Sequence, residues 1–143
     1  MPSDIEARVR ESFARQGLMQ HLGARVDRVE PGFVRIVMPY GEHLTQQHGF
    51  FHAGGTSAIA DSAGGYAGLT MFPEDASVLT VEFKVNLVAP ARGEQLEAEG
   101  RVIRSGRTLT ICQLEVFAVE GTSRSLVALG QQTLICMAGK PDR

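Results

Sequence analysis

Apolar side chains near the start of the chain follow the period of a helix. They recur four residues apart, at Ile5, Val9 and Phe13. Ser3 and Glu6 have the spacing of a capping box, and Gly17 follows at the position of a stop signal. The pattern predicts a short amphipathic helix over residues 4–16, whose apolar stripe must cover another element.

Further along, runs of β-branched and apolar residues separated by turn signals predict strands. Six are expected, at residues 24–30, 33–39, 77–90, 94–104, 107–119 and 124–137. In the third, four apolar residues alternate with polar ones: Val81, Phe83, Val85 and Leu87. This alternation predicts that these side chains point inward, while the opposite face meets water or another subunit.

Between the second and third predicted strands, a run without proline from Ala53 to Met71 is long enough for five helical turns. It contains several glycines, Gly54, Gly55, Gly64, Gly65 and Gly68. Each interior glycine destabilises a helix by roughly 0.5–1 kcal/mol relative to alanine, so this helix is expected to pack closely against backbone or ligand. The polar residues 41–51 predict a loop leading into it.

The order of these elements lacks alternating βαβ units. We therefore expect an α+β fold, an antiparallel sheet with the long helix against one face, in one domain over residues 1–143. The chain has 14 Lys and Arg against 16 Asp and Glu, a formal net charge of −2. This balance disfavours nucleic acid and anionic membranes as partners and leaves small molecules and proteins.

The sequence also indicates a cytoplasmic location. The N-terminal residues are charged and lack the apolar segment of a secretory signal. The most apolar stretch, residues 53–72, contains Asp61 and many small residues, which argues against a membrane span. Cys112 and Cys136 lie in strand-like runs without CxxC spacing, so two reduced, buried thiols are expected ahead of a disulfide.

Asp61 is unusual because its neighbours are small or apolar. A buried carboxylate is costly unless it is paired or hydrogen-bonded. Two interpretations are open at this point. Asp61 either hydrogen-bonds a neighbouring loop or faces solvent, or it acts as a general base or nucleophile toward an ester or thioester carbonyl.

A second group of candidates lies at the start of the long helix. The free amides of Ala53, Gly54 and Gly55 at a helix N-terminus can hold a developing oxyanion. His52 precedes them and is either catalytic or a loop histidine bonded to a backbone carbonyl. His52 and Asp61 are about half a helical turn off the same face, so they need not touch within one chain.

Other chemistry has little support in the sequence. The histidines and Asp61 lack zinc-ligand spacing, and the sequence contains no HExxH, GxSxG, P-loop or GxGxxG motif. Neither a metal nor a nucleotide cofactor is therefore expected. Four arginines cluster around two late turns, at Arg92, Arg101, Arg104 and Arg107. Such charges are usually solvated, but they can also pair with phosphates.

Two motifs, QQHGFFHAGG at residues 46–55 and DSAGG at residues 61–65, resemble the signature of hotdog-fold acyl-CoA thioesterases of the PaaI-like group. Gly49, His52 and Asp61 keep the spacings of the family pattern. The resemblance implies an antiparallel sheet wrapped around one long central helix, with a short N-terminal helix. It also implies that no cofactor is needed, with coenzyme A present only as part of the substrate and product.

The resemblance implies roles for individual residues. Asp61 would be the base or nucleophile, the Ala53 N–H would polarise the thioester carbonyl, and Thr80 would position water. Gln46 and His52 would orient substrate or water. Two of these positions depart from the pattern, because Gln46 stands where many relatives have Asn and Ala53 replaces the first Gly after His.

Substrate contacts and a partner subunit are implied in the same way. Gly49 and Gly54 would lie against the substrate, and arginines such as Arg92, Arg104 or Arg107 would hold the phosphates of coenzyme A. The family's acidic residue faces the His-containing loop of a second subunit. A homodimer, often assembled into a dimer of dimers, is therefore expected.

Two other functions stay open. A hotdog hydratase or dehydratase acting on enoyl or hydroxyacyl thioesters would use an Asp-x-x-x-x-His segment, which the sequence lacks. A non-catalytic acyl-CoA binding module would keep the channel and dispense with Asp61. Candidates for lining such a channel are Phe50, Phe51, Tyr66 and Phe72.

Overall fold

Two short helices open the part of the chain that the computed structural model describes, residues 4–142. α1 spans Asp4–Ala14 and α2 spans Gly17–Leu22. The predicted helix over residues 4–16 thus ends earlier than expected. α2 was not predicted, because six residues are too few to show a helical period. Ser3 of the expected capping box lies outside the described residues.

Six antiparallel strands form one sheet in the described chain. Their bounds are Arg25–Glu30 (β1), Phe33–Pro39 (β2), Ser77–Leu87 (β3), Gln95–Ser105 (β4), Leu109–Glu120 (β5) and Ser123–Met137 (β6). The strands lie in the order β1-β2-β4-β5-β6-β3, so β3 pairs only with β6 and forms one edge. The predicted α+β class and antiparallel sheet are confirmed, and α2 adds a second short helix before the sheet.

The long helix α3, Ala53–Leu69, packs closely against one face of the sheet. A side chain at Gly64 would overlap the Gln132 amide on β6, and one at Gly100 on β4 would overlap the carbonyl of Ala63 on α3. Helix and sheet therefore meet where neither has room for a Cβ atom. The predicted tight packing holds at Gly64 and Gly68, whereas a Cβ at Gly65 would meet nothing within 4 Å.

The N-terminal helical region is tied to α3 through Tyr66. The Tyr66 hydroxyl is hydrogen-bonded to Ser12 Oγ at 2.9 Å and accepts from Gln16 Nε2 at 2.8 Å. Burial raises the pKa of Tyr66, so the phenol stays protonated at neutral pH. Val9, from the predicted apolar stripe of α1, is fully buried.

On β3, Phe83, Val85 and Leu87 pair with alternate inward residues of β6, Gln132, Gly130 and Ala128, and therefore lie on the helix-facing side. A β-bulge between Thr80 and Glu82 changes the phase of the alternation. Three of the four alternating residues are more than one-third exposed, Val81 at 59%, Phe83 at 41% and Leu87 at 56%. Phe83 and Leu87 thus point inward as predicted but stay partly exposed, because β3 is an edge strand that α3 covers incompletely.

Candidate active site

His52 is the N-cap of α3. Its backbone is extended, with φ −68° and ψ 138°, and its ring Nδ1 accepts a hydrogen bond from the Gly54 N–H at 2.7 Å. With Nδ1 as an acceptor, the neutral ring carries its proton on Nε2, which leaves that N–H as a donor. The interpretation in which the ring bonds a backbone carbonyl is wrong, because its partner is a backbone amide.

Among residues 4–142, only one of the three predicted oxyanion amides is without an acceptor. The Gly54 N–H is taken by the His52 ring, and the Gly55 N–H donates to the His52 carbonyl at 3.0 Å. The Ala53 N–H stays free at the first position of α3, where the helix dipole favours negative charge. The expected cluster of donors is thus reduced to Ala53.

The loop before α3 is built around the side chain of Gln46. Its Oε1 accepts from the His48 N–H at 2.5 Å and from the Phe50 N–H at 3.3 Å. The Nε2 group has no acceptor within the described chain, so it can donate to a ligand. Gly49 turns the loop with a φ of +84°, which favours glycine. A loop-building role for Gln46 was not predicted from the sequence.

A pocket of about 520 Å³ opens beside the start of α3. Its polar lining includes Gln46, His52 and Ala53, so the structure brings these three predicted residues together. Much of its wall is apolar and comes from the loop, the end of β3 and β6: Phe50, Phe51, Leu87, Val88, Pro90 and Val127. Two of the aromatic candidates therefore line the pocket, whereas Tyr66 and Phe72 do not.

Asp61 lies half-buried on α3 in a second group of polar side chains. Its Oδ1 accepts from Thr80 Oγ1 at 2.7 Å and from Gln132 Nε2 at 2.7 Å. Gln132 Nε2 also donates to the Asp61 carbonyl at 2.9 Å. Gln132 was missed by sequence reasoning, although a glutamine at an inward position of an apolar strand was a usable signal.

The two groups are separate within one protomer. Ala53 and Asp61 are eight residues apart on α3, about 12 Å along the helix axis. Neither Asp61 nor Thr80 lines the pocket beside Ala53. The structure of a single chain therefore contains two halves of the predicted site rather than one assembled site.

The three candidate arginines also lie in separate parts of one protomer. Arg92 follows Ala91, which lines the pocket. Arg104 lies near the far end of β4, and Arg107 lies in the turn between β4 and β5. Ten residues separate the ends of β4, about 33 Å in a strand. Within one protomer, Arg92 therefore lies at the opposite end of β4 from Arg104 and Arg107, so the three do not meet at one pocket.

The two cysteines are free in the structure, with Cys112 buried and Cys136 half-buried. The Cys112 thiol donates to the Gly64 carbonyl at 3.5 Å, and burial raises its pKa to about 12. Cys112 is thus a protonated core residue at neutral pH and not a nucleophile. In the described chain, no three His, Cys, Asp or Glu side chains come together in a way that could hold a metal ion.

Comparison with known proteins identifies the family of this chain. The family model of the Thioesterase superfamily matches residues 48–124. A provisionally named esterase of Halobacterium salinarum is 31% identical over 125 residues, 84% of this chain and 82% of that protein. A crystal structure of a thioesterase family protein from Silicibacter pomeroyi has a TM-score of 0.92 at 46% identity and covers 94% of this chain and 99% of its own.

The E. coli PaaI protein from the phenylacetic acid degradation operon has a similar fold, with a TM-score of 0.85 at 17% identity over 96% of each chain. Fold and relatives together define a hotdog-fold thioester hydrolase. The chain belongs to the Thioesterase superfamily, which confirms the predicted family and enzyme class. Among the helices of residues 4–142, none has the length and apolarity to cross a membrane.

Proposed function

We propose that the protein hydrolyses acyl-CoA thioesters at a site shared between two subunits. The observation that carries this proposal is the free Ala53 N–H, which opens from the N-terminus of α3 onto a largely apolar pocket. An apolar acyl group fits such a pocket, and the free amide is placed to bind the carbonyl oxygen of its thioester.

In the proposed reaction, the Ala53 N–H stabilises the negative charge that develops on the carbonyl oxygen. Asp61 of the partner subunit takes a proton from water as the water attacks the carbonyl carbon. Alternatively, Asp61 attacks that carbon itself and forms an anhydride, which water then cleaves. In both routes the carbon–sulfur bond breaks, and the thiolate of coenzyme A leaves and takes up a proton. Gln46 and His52 orient substrate or water.

The free edge of β3 supports the homodimer that this reaction requires. Long, apolar edge strands are sites of pairing with another chain. β3 is 11 residues long and exposes apolar side chains on its helix-facing side, among them Phe83 and Leu87. The other edge, β1, has only six residues and carries several charged ones, which protect an edge from pairing.

Pairing through β3 also brings the two halves of the site together. Thr80, which holds Asp61, lies near one end of β3, and the pocket residues Leu87 and Val88 lie at the other. In an antiparallel pair related by a two-fold axis, the Thr80 end of one strand runs beside the Leu87 end of its partner. Asp61 then approaches the partner's pocket more closely than its own.

Contacts to coenzyme A follow from the same arrangement. Arg92 follows the pocket residue Ala91 in the sequence, and it would pair with a phosphate of coenzyme A bound to its own subunit. Gly49 and Gly54 would contact the substrate from the loop and from the start of α3. Arg104 and Arg107 would serve only a pocket of another subunit, for example in a dimer of dimers.

We expect the purified protein to release free thiol from a panel of aliphatic and aromatic acyl-CoAs, with kcat/KM differing between acyl groups because large apolar side chains line the pocket. Release is measured with a thiol-reactive dye. Enoyl-CoA hydration without thiol release would instead identify a hydratase. Acyl-CoA binding without either reaction would identify a binding module.

Phe83→Glu is expected to dissociate the dimer and abolish thiol release. A carboxylate buried between the paired β3 strands without a partner costs several kcal/mol. A loss of about 3 kcal/mol of binding free energy raises the Kd of the dimer about 10²-fold. Sedimentation equilibrium and kcat/KM are measured on the same samples. Leu18→Glu, a matched change at a 55% exposed residue on α2, serves as the control. A dimeric Phe83→Glu variant with wild-type turnover would contradict pairing through β3.

A further inference from the structure

Gln132 is an unexpected residue for the core of this sheet. It lies on β6 with 1% of its surface exposed, beside Cys112 on β5 and Phe83 on β3. Its Oε1 has no hydrogen-bond partner in the described chain and is fully buried. A buried acceptor left without a partner destabilises a fold, so stability does not explain a glutamine at this position.

The amide nitrogen of Gln132, by contrast, is hydrogen-bonded to Asp61. It donates to two oxygens of one residue, the Oδ1 and the main-chain carbonyl of Asp61, and it also lies 3.5 Å from Thr80 Oγ1. The orientation of the amide is unambiguous, because the flipped group would place Oε1 against both of these acceptors. Gly64 provides the space, since any side chain there would overlap Oε1.

This arrangement makes the two carboxylate oxygens of Asp61 different. Oδ1 is held by two donors, Thr80 Oγ1 and Gln132 Nε2. Oδ2 accepts no hydrogen bond from residues 4–142. A carboxylate held in this way can rotate little about its side-chain bonds, and it presents only Oδ2 to a water molecule or a carbonyl carbon.

We propose that Gln132 is a positioning residue for the thioesterase reaction, which orients the carboxylate of Asp61 so that Oδ2 is the reacting oxygen. The inference rests on the proposed function, because it needs Asp61 as base or nucleophile. Thr80 alone cannot supply this restraint, since it lies on the exposed edge strand. Gln132 instead ties the carboxylate to the α3 backbone from inside the core.

The test is Gln132→Met, which keeps the length of the side chain and removes both donors together with the unpaired acceptor. We expect kcat to fall by up to about 10²-fold with KM nearly unchanged, because misplacing a reacting group by about 1 Å costs that much. The melting temperature should stay the same or rise. Gln132→Asn, whose amide is too short to reach Asp61, should show the same loss of kcat.

A double-mutant cycle separates positioning from a purely structural role. In the Asp61→Asn background, Gln132→Met should produce no further loss of residual turnover, because Gln132 acts through the carboxylate. Multiplicative losses, or full kcat in folded dimers of both Gln132 variants, would overturn the positioning role. Full turnover in Asp61→Asn alone would instead overturn the proposed function, so the two failures are distinguishable.

Discussion

Asp61→Asn is expected to lower kcat by about 10²- to 10⁴-fold, which is the usual contribution of a general base. The asparagine side chain is isosteric with aspartate. Its Oδ1 can keep the bonds from Thr80 and Gln132, so the fold, the dimer and KM should change little. What is lost is the negative oxygen that takes the proton or attacks the carbonyl. Steady-state thiol release measures the effect.

The control for this variant is Asp75→Asn, which makes the same chemical change at an exposed loop residue outside the site. It should have wild-type kcat. Circular dichroism and sedimentation on both variants establish that each is folded and dimeric. If folded Asp61→Asn turned over at the wild-type rate, Asp61 would have no part in the reaction.

Ala53→Pro is expected to lower kcat by about 10²- to 10³-fold, the effect of removing one donor to the oxyanion. Proline has no N–H, yet it is well tolerated at the first position of a helix. The preceding His52 already has the extended backbone that a residue before proline requires. The substitution therefore deletes the donor and leaves the helix start intact.

Ala53→Gly is the matched comparison, because it changes the side chain and keeps the N–H. It should retain most of the turnover that Ala53→Pro loses. Equal losses in both variants would mean that the side chain matters and the amide does not. Thermal unfolding of the two proteins shows whether either change disturbs α3.

Mixing the two impaired proteins tests whether the site is shared. In a heterodimer of Asp61→Asn and Ala53→Pro, one site carries both defects and the other carries neither. Refolding an equal mixture should therefore restore a substantial fraction of the wild-type turnover. A site formed within one chain would give no restoration, because every site would then carry a defect.

The sequence pattern predicted most of the fold because its cues are local. Turn signals marked every strand end to within three residues, and the glycine-rich run predicted α3 with its close packing. The exposure of the inward face of β3 was not predicted, for a physical reason. Alternation reveals which side chains share a face of a strand, but it does not reveal whether that strand lies at the centre or the edge of its sheet.

The candidate site was predicted in part. Gly49, His52 and Asp61 could be selected as candidates from the sequence because the spacing of a loop and a helix is a property of neighbouring residues. Gln132 was not predicted as a site residue, because its partner, Asp61, is 71 residues away along the chain. Nothing in its immediate neighbours indicates that the two side chains meet.

The sequence by itself determined the elements, the superfamily and the candidate acid, since capping, turn and periodicity signals operate over a few residues. Only the tertiary structure decided that Ala53 has the free amide and that Oδ1 of Asp61 is held while Oδ2 is not. It also decided that Asp61 lies outside the pocket beside Ala53 in one chain. These properties depend on hydrogen bonds and packing between strands and helices distant in sequence, which no local pattern encodes.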